Sequence, residues 1–129
     1  KIKDFLDAHQ IKFTTEKIFE WNVAVDKRQP LRYDFYLPDL NTLIEFDGRH
    51  HFLPTKYGGQ TDKQAEDQFE RTKFYDMIKT INAYLSTINL IRISYHHYAD
   101  IDSILKNELL TENRNILSIY NQLLQGSII

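Results

Sequence analysis

The sequence predicts an α/β fold: a mixed four-stranded sheet flanked by helices, in the order αβββαβαα. Three observations predict it. Two strand-like segments, 32–37 (RYDFYL) and 42–47 (TLIEFD), are separated only by Pro38, Asp39, Leu40 and Asn41, and that turn chemistry makes them an antiparallel hairpin. A long helical stretch follows and runs to about Leu85. Another apolar strand, 89–95 (NLIRISY), comes directly after it, and a strand reached through a helix crossover pairs in parallel.

Taken in order, residues 2–9 place Ile2, Phe5, Leu6 and His9 at helical spacing, which predicts a first helix. Residues 11–20 alternate loosely through Ile11, Phe13, Ile18 and Phe19, as a strand with an irregular end does. Residues 22–31 are polar, with Lys27, Arg28 and Pro30, and read as a loop. The hairpin follows, and Gly48 stops its second strand. Pro54, Gly58 and Gly59 make 53–60 a loop. Thr61, with Gln64 three residues later, is a capping-box pattern that opens the long helix. The apolar stripe of that helix is Phe74, Ile78, Ile81, Leu85 and Ile88, at steps of four and three. After the fourth strand, 100–110 and 112–125 read as two helices, the first with an Asp cap and the second opened by Thr111.

A length of 129 residues fits one domain, with a core over 1–98 and a helical extension over 99–129. Hydrophobic residues make up 42%, enough for a core. The absence of cysteine excludes disulfides, zinc–thiolate sites and thiol nucleophiles. It suits an intracellular protein, cytoplasmic or within a host cell. No apolar run is long enough to span a bilayer and no secretory signal is visible, so no membrane partner is expected. The chain opens on Lys1 rather than methionine and reads as an excised domain. A net charge of −2 does not advertise nucleic acid as a strongly basic chain would. That charge is uneven: Asp100, Asp102, Glu108 and Glu112 stand against Lys106 and Arg114, which leaves 1–99 neutral. An acidic catalytic centre inside a basic rim gives this balance too, so charge alone does not discriminate. Internal repeats, low-complexity segments, GxSxG, HExxH, a P-loop and a dinucleotide fingerprint are all absent.

Asp34 sits between aromatics inside a strand, where aspartate is disfavoured; alone it would read as an edge residue facing water. Glu45 and Asp47 are two apart on one strand and share a face. Such carboxylates repel unless they are solvated, or unless a cation lies between them and the facing Asp34. The hairpin turn brings the strand of Asp34 beside theirs, close enough to share a ligand, and an oxygen-only set suits Mg²⁺ or Mn²⁺. Arg49, His50 and His51 follow Gly48. A neutral imidazole there can act as general base on water, and an imidazolium can steady a phosphate. On the long helix Asp76 and Lys79 are three apart and can pair; Asp76 lies off the apolar stripe, so spacing alone gives a solvated salt bridge. Arg49, Lys56, Lys63, Arg71 and Lys73 can meet phosphates or be ordinary surface cations. Tyr95, His96, His97 and Tyr98 read as a mixed aromatic surface turn, with a metal-binding histidine pair as the alternative.

LRYDFYLP, LIEFDGRHHF, YDMIK and LIRISY, in this order, resemble the small PD-(D/E)XK proteins related to very-short-patch-repair endonucleases and phage EDxHD homing endonucleases. The resemblance covers roughly residues 1–98 and rests on the combination of segments. It implies a restriction-endonuclease-like fold and Mg²⁺-dependent (or Mn²⁺-dependent) hydrolysis of a DNA phosphodiester. Asp34 matches the metal-binding Asp of the family hairpin, and Glu45 matches the second acid and a second metal ligand. Asp47 stands where the superfamily lysine usually stands, and in this branch a histidine replaces that lysine. His51 is the best match to that histidine, with His50 second. Asp76 matches the acid on the following helix. The first Glu of the EDxHD pattern is expected on the N-terminal helix, which offers only Asp4 and Asp7; the resemblance places it upstream of Lys1.

The expected mechanism follows. Asp34, with a carboxylate or carbonyl near Glu45 and with waters, holds Mg²⁺, which polarises the scissile phosphate and acidifies a bound water. His51 takes a proton or stabilises developing charge, and Asp76 orients it. Arg49, Lys56 and Lys79 hold the DNA backbone. The alternatives are a catalytically retired DNA-binding module of the same fold, and a module that forms a homodimer through the acidic 100–129 helices within a larger phage or mobile-element protein.

Overall fold

The computed structural model describes residues 1–24 and 30–110, which form a mixed four-stranded sheet with three helices. Strands β1 (Thr14–Ile18), β2 (Arg32–Leu37), β3 (Thr42–Asp47) and β4 (Asn89–Ser94) lie side by side in sequence order. β2 and β3 have the bounds that the hairpin pattern predicts. β1 is shorter than the predicted 11–20, and Glu16 interrupts its extended backbone at φ 52°. β1 pairs β2 and β2 pairs β3 antiparallel, whereas β3 pairs β4 in parallel. The crossover required for that parallel pair is α2 (Asp62–Leu85). Its N-terminus carries both arms of the capping box: Gln64 N donates to Thr61 Oγ1, and Thr61 N donates to Gln64 Oε1.

The hairpin turn is a single 3₁₀ turn, Pro38–Leu40, closed by Asn41 in the left-handed region at φ 48°, which asparagine tolerates better than most residues. Asn41 also ties the hairpin to the next strand. Its Nδ2 donates to Thr87 O at 2.8 Å, and its carbonyl accepts from Asn89 N at 3.0 Å. From there β4 runs beside β3 with Glu45 opposite Arg92 and Asp47 opposite Ser94.

One sheet face is apolar. Leu37, Ile44, Ile91 and Ile93 pack with Ile2, Phe5 and Leu6 of α1 (Ile2–Ala8) and with Ile101, Leu105 and Leu109 of α3 (Ile101–Leu109). The packed unit therefore runs past residue 98 and includes the first of the expected C-terminal helices. Asp100, the last residue of a 3₁₀ run Tyr95–Asp100, stands at the cap position of that helix, but its side chain makes no cap hydrogen bond. The helix expected over 112–125 lies outside the described residues. No helix among the described residues is long and apolar enough to cross a membrane.

The other sheet face meets α2, and here the structure corrects the predicted stripe. Ile81 is 48% exposed and Leu85 70% exposed, while Ala65, Asp76, Thr80 and Ala83 are the buried helix positions. Tyr33, Leu43, Leu90, Ala83 and Ile88 form a small apolar cluster at one end. Beyond it the sheet presents Glu45, Asp47 and Arg92, so the helix must bring polar partners rather than leucines.

Candidate functional site

The β2–β3 ladder ends at the pair Phe35 and Ile44. Past it, two carboxylates take the place of ladder carbonyls. Asp34 N donates to Glu45 Oε1 at 2.8 Å, and Phe46 N donates to Asp34 Oδ2 at 2.8 Å. Asp34 is half-buried and Glu45 is buried. Among the described residues Asp34 Oδ1 accepts no hydrogen bond. Glu45 Oε2 lies 2.8 Å from Lys79 Nζ, and Lys79 O accepts from the Tyr33 hydroxyl at 2.7 Å. Burial pushes the Glu45 carboxyl up to about 7, against the pull of Lys79 and with the nearby charge of Asp34 adding to the rise.

One turn of α2 away, a second polar group centres on Arg92. Its Nη1 donates to Asp47 Oδ1 at 2.8 Å, its Nε to Thr80 Oγ1 at 3.1 Å, and its Nη2 to the Asp76 carbonyl at 3.0 Å. The Arg92 side chain is 2% exposed. Asp76 Oδ2 is 2.6 Å from His51 Nδ1, and Asp47 Oδ1 is 3.7 Å from the same nitrogen. His51 stands on the 3₁₀ turn Arg49–His51, directly after β3. Burial alone would lower its pKa, but the hydrogen bond to Asp76 and the charges of Asp76 and Asp47 outweigh it and raise the ring above its usual value. Asp47 is itself raised by burial, against the pull of Arg92. Nδ1 facing Asp76 leaves Nε2 as the nitrogen without a described partner, the tautomer in which it accepts a proton.

Several expected residues therefore meet. Asp34 and Glu45 are adjacent, and Asp47 shares the α2 face of the sheet with Glu45. The pairing read from spacing on the helix does not form: Asp76 turns to His51, and Lys79 turns to Glu45 with its side chain 12% exposed. Lys79 is thus engaged inside the site instead of reaching toward a DNA backbone. Arg49 is exposed, and Lys56 Nζ lies 2.6 Å from Asp62 Oδ1. His50 is exposed, its ring beside that of His51 and its pKa lowered by burial and by His51. Asp4 and Asp7 are exposed on α1, across the sheet from α2. His97 lies 3.7 Å from Asp100, and His96 packs on Tyr95 and Phe52. Sequence reasoning passed over Arg92. Its signal was a cation inside LIRISY, an apolar strand covered on both faces, where a buried charge requires a partner.

Two groups can be weighed as cation sites. Asp47, His51 and Asp76 each offer one donor atom, all within 4.8 Å of one another, and such a mixed nitrogen and oxygen set could hold a transition-metal ion. Arg92, however, already lies against both carboxylates. At Asp34 and Glu45 the donors are all oxygen, and Asp34 Oδ1 is open. A Mg²⁺ ion that keeps most of its waters needs only one or two protein carboxylates, so these residues fit it better. The fold and site thus define an α/β protein with a polar network under its crossover helix. No protein-family model, no curated protein and no solved structure matches the chain.

Proposed function

We propose that the chain is a divalent-metal-dependent endonuclease of the PD-(D/E)XK type that hydrolyses DNA phosphodiester bonds, and that its sheet is of the restriction-endonuclease-like kind. One observation carries the reading. Asp34 and Glu45 come together where the hairpin ladder ends, on the strand that leads into a histidine whose Nδ1 is fixed by Asp76. Asp34, with Glu45 beside it, would hold the Mg²⁺ or Mn²⁺, which when bound neutralises phosphate charge and acidifies water. His51 Nε2 accepts the proton of the attacking water, and Asp76 keeps the ring in the tautomer that can do so. Lys79 balances Glu45, and Arg49, which is exposed, would meet a backbone phosphate.

The test is incubation of plasmid DNA with the protein and Mg²⁺ or Mn²⁺, beside Asp34→Asn. Cleavage by the wild type and not by the variant supports the reading; equal rates would sink it. One observation favours a retired module instead: both Glu45 oxygens are satisfied within the protein, by Asp34 N and by Lys79. A retired site predicts no cleavage and no melting response to either metal.

A further inference from the structure

We propose that Arg92 is a positioning residue: by engaging Asp47, it reserves Asp76 as the single acceptor for His51 Nδ1 and keeps a second carboxylate charge from holding a proton on Nε2. Its consequence for cleavage rests on the nuclease reading; its consequence for His51 does not.

The geometry makes the point. Two carboxylates are within reach of one imidazole nitrogen, Asp76 Oδ2 at 2.6 Å and Asp47 Oδ1 at 3.7 Å. The guanidinium fork reaches both. Nη1 is 2.8 Å from Asp47 Oδ1 and 3.7 Å from Asp76 Oδ1, so the oxygen nearest the ring on Asp47 is already accepting a charge-assisted hydrogen bond. Nε and Nη2 grip Thr80 Oγ1 and the Asp76 carbonyl, which fixes the turn of α2 that carries the Asp76 side chain. Thr80 Oγ1 in turn donates to that same carbonyl at 2.8 Å. A lysine could not make this set of contacts, because a single ammonium lacks the planar fork.

The groups facing His51 come from four places: Asp47 from β3, Asp76 from α2, Arg92 from β4, and His50 on its own turn. Without Arg92, two buried carboxylates would face one imidazole with no other cation beside it. The ring would then hold protons on both nitrogens, and an imidazolium cannot take a proton from water.

The experiment is ¹⁵N NMR of the His51 ring in metal-free protein, with DNA cleavage against pH in parallel. The wild type is expected to show Nδ1 protonated and Nε2 bare when neutral. Arg92→Gln should raise the His51 titration midpoint by about one unit or more. The double variant Arg92→Gln with Asp47→Asn removes the competing carboxylate as well and should bring the midpoint back. The acid limb of cleavage should move with it in both cases. An unmoved midpoint in Arg92→Gln overturns the proposal, and so does a raised midpoint that Asp47→Asn fails to restore, since anchoring of α2 alone would then explain Arg92. Should Arg92→Gln not fold, a folded double variant with the wild-type midpoint supports the proposal, and an unfolded one or a shifted midpoint overturns it. A wild type silent toward DNA would end the nuclease reading, while the NMR arm still decides the role of Arg92.

Discussion

Asp34 and Glu45 lace the end of the hairpin with their own carboxylates: Glu45 accepts the Asp34 amide, and Asp34 accepts the amide of Phe46, each at 2.8 Å. The residues expected to meet a metal are thus also structural acceptors, and substitutions must be chosen with both roles in view.

Asp34→Asn keeps an oxygen for the Phe46 amide and removes a charge beside Glu45. It should fold, melt higher than wild type in EDTA, and cut no DNA. Asp34→Ala should also cut none, but it strands a backbone N–H at a cost of about 1–3 kcal/mol. Urea melts of the pair beside plasmid assays check this. An alanine variant as stable as the asparagine variant would show that the Phe46 contact is idle.

His51→Ala should lower cleavage by roughly 10²-fold or more, as loss of a positioned acid–base group does. His50→Ala should do much less, because the contact to Asp76 belongs to His51. Swapped effects in matched pH–rate series would move the role to His50.

Stability should fall as pH rises. Glu45 moves from 4.5 to about 7, and Asp47 and His51 are also raised, so each binds its proton more tightly in the folded chain. Their contributions are full below the unfolded pKa and are lost through the folded one. For Glu45 that window is 4.5 to about 7, with a ceiling on the order of 3 kcal/mol. His50, lowered, acts in the opposite sense but is exposed and weaker. Metal-free protein should therefore melt higher at pH 5 than at pH 8, and Glu45→Gln should flatten the slope. A melting temperature that climbs with pH would contradict this.

Lys79→Met leaves Glu45 buried without its cation. Removing one partner of a buried pair destabilises by about 3–5 kcal/mol. The loss should be largest at pH 8 and shrink at pH 5, where Glu45 takes up a proton. Equal losses at both pH values would mean that Glu45 is not the group responsible.

Mn²⁺ or Mg²⁺ binding only the folded chain should raise stability by about 2.7 kcal/mol at a hundredfold excess over its dissociation constant. Asp34→Asn should lose most of that response, and Asp47→Asn should keep it. A melting curve unmoved by millimolar Mn²⁺ would remove the carboxylate site.

The hairpin and the crossover were legible because local chemistry decides them: turn residues at 38–41, an aromatic run before them and a β-branched apolar run after, and a capping box at Thr61. Glu45 and Asp47 could be placed on one face because the period of a strand is two. The buried face of α2 was not legible. Hydrophobic periodicity assumes that a helix meets apolar surface, and here it meets Glu45, Asp47 and Arg92, so Phe74, Ile78 and Ile81 misled while Asp76 and Thr80 were the buried positions. Which carboxylate takes which cation depends on β4 lying beside β3, a contact across more than forty residues that no local pattern reports.

Asn41 has a consequence beyond the turn it closes. By holding Thr87 O and Asn89 N, it sets the frame in which the parallel strand is laid down, like the first tooth of a zip. A slip of a single residue would turn Arg92 away from Asp47 and into the apolar layer of Ile44 and Ile93, and would swing Ile91 or Ile93 toward the carboxylates. The hydrophobic layer and the charged layer thus reject the same errors for opposite reasons. An asparagine at the far end of the strand from the site helps decide whether the site exists at all.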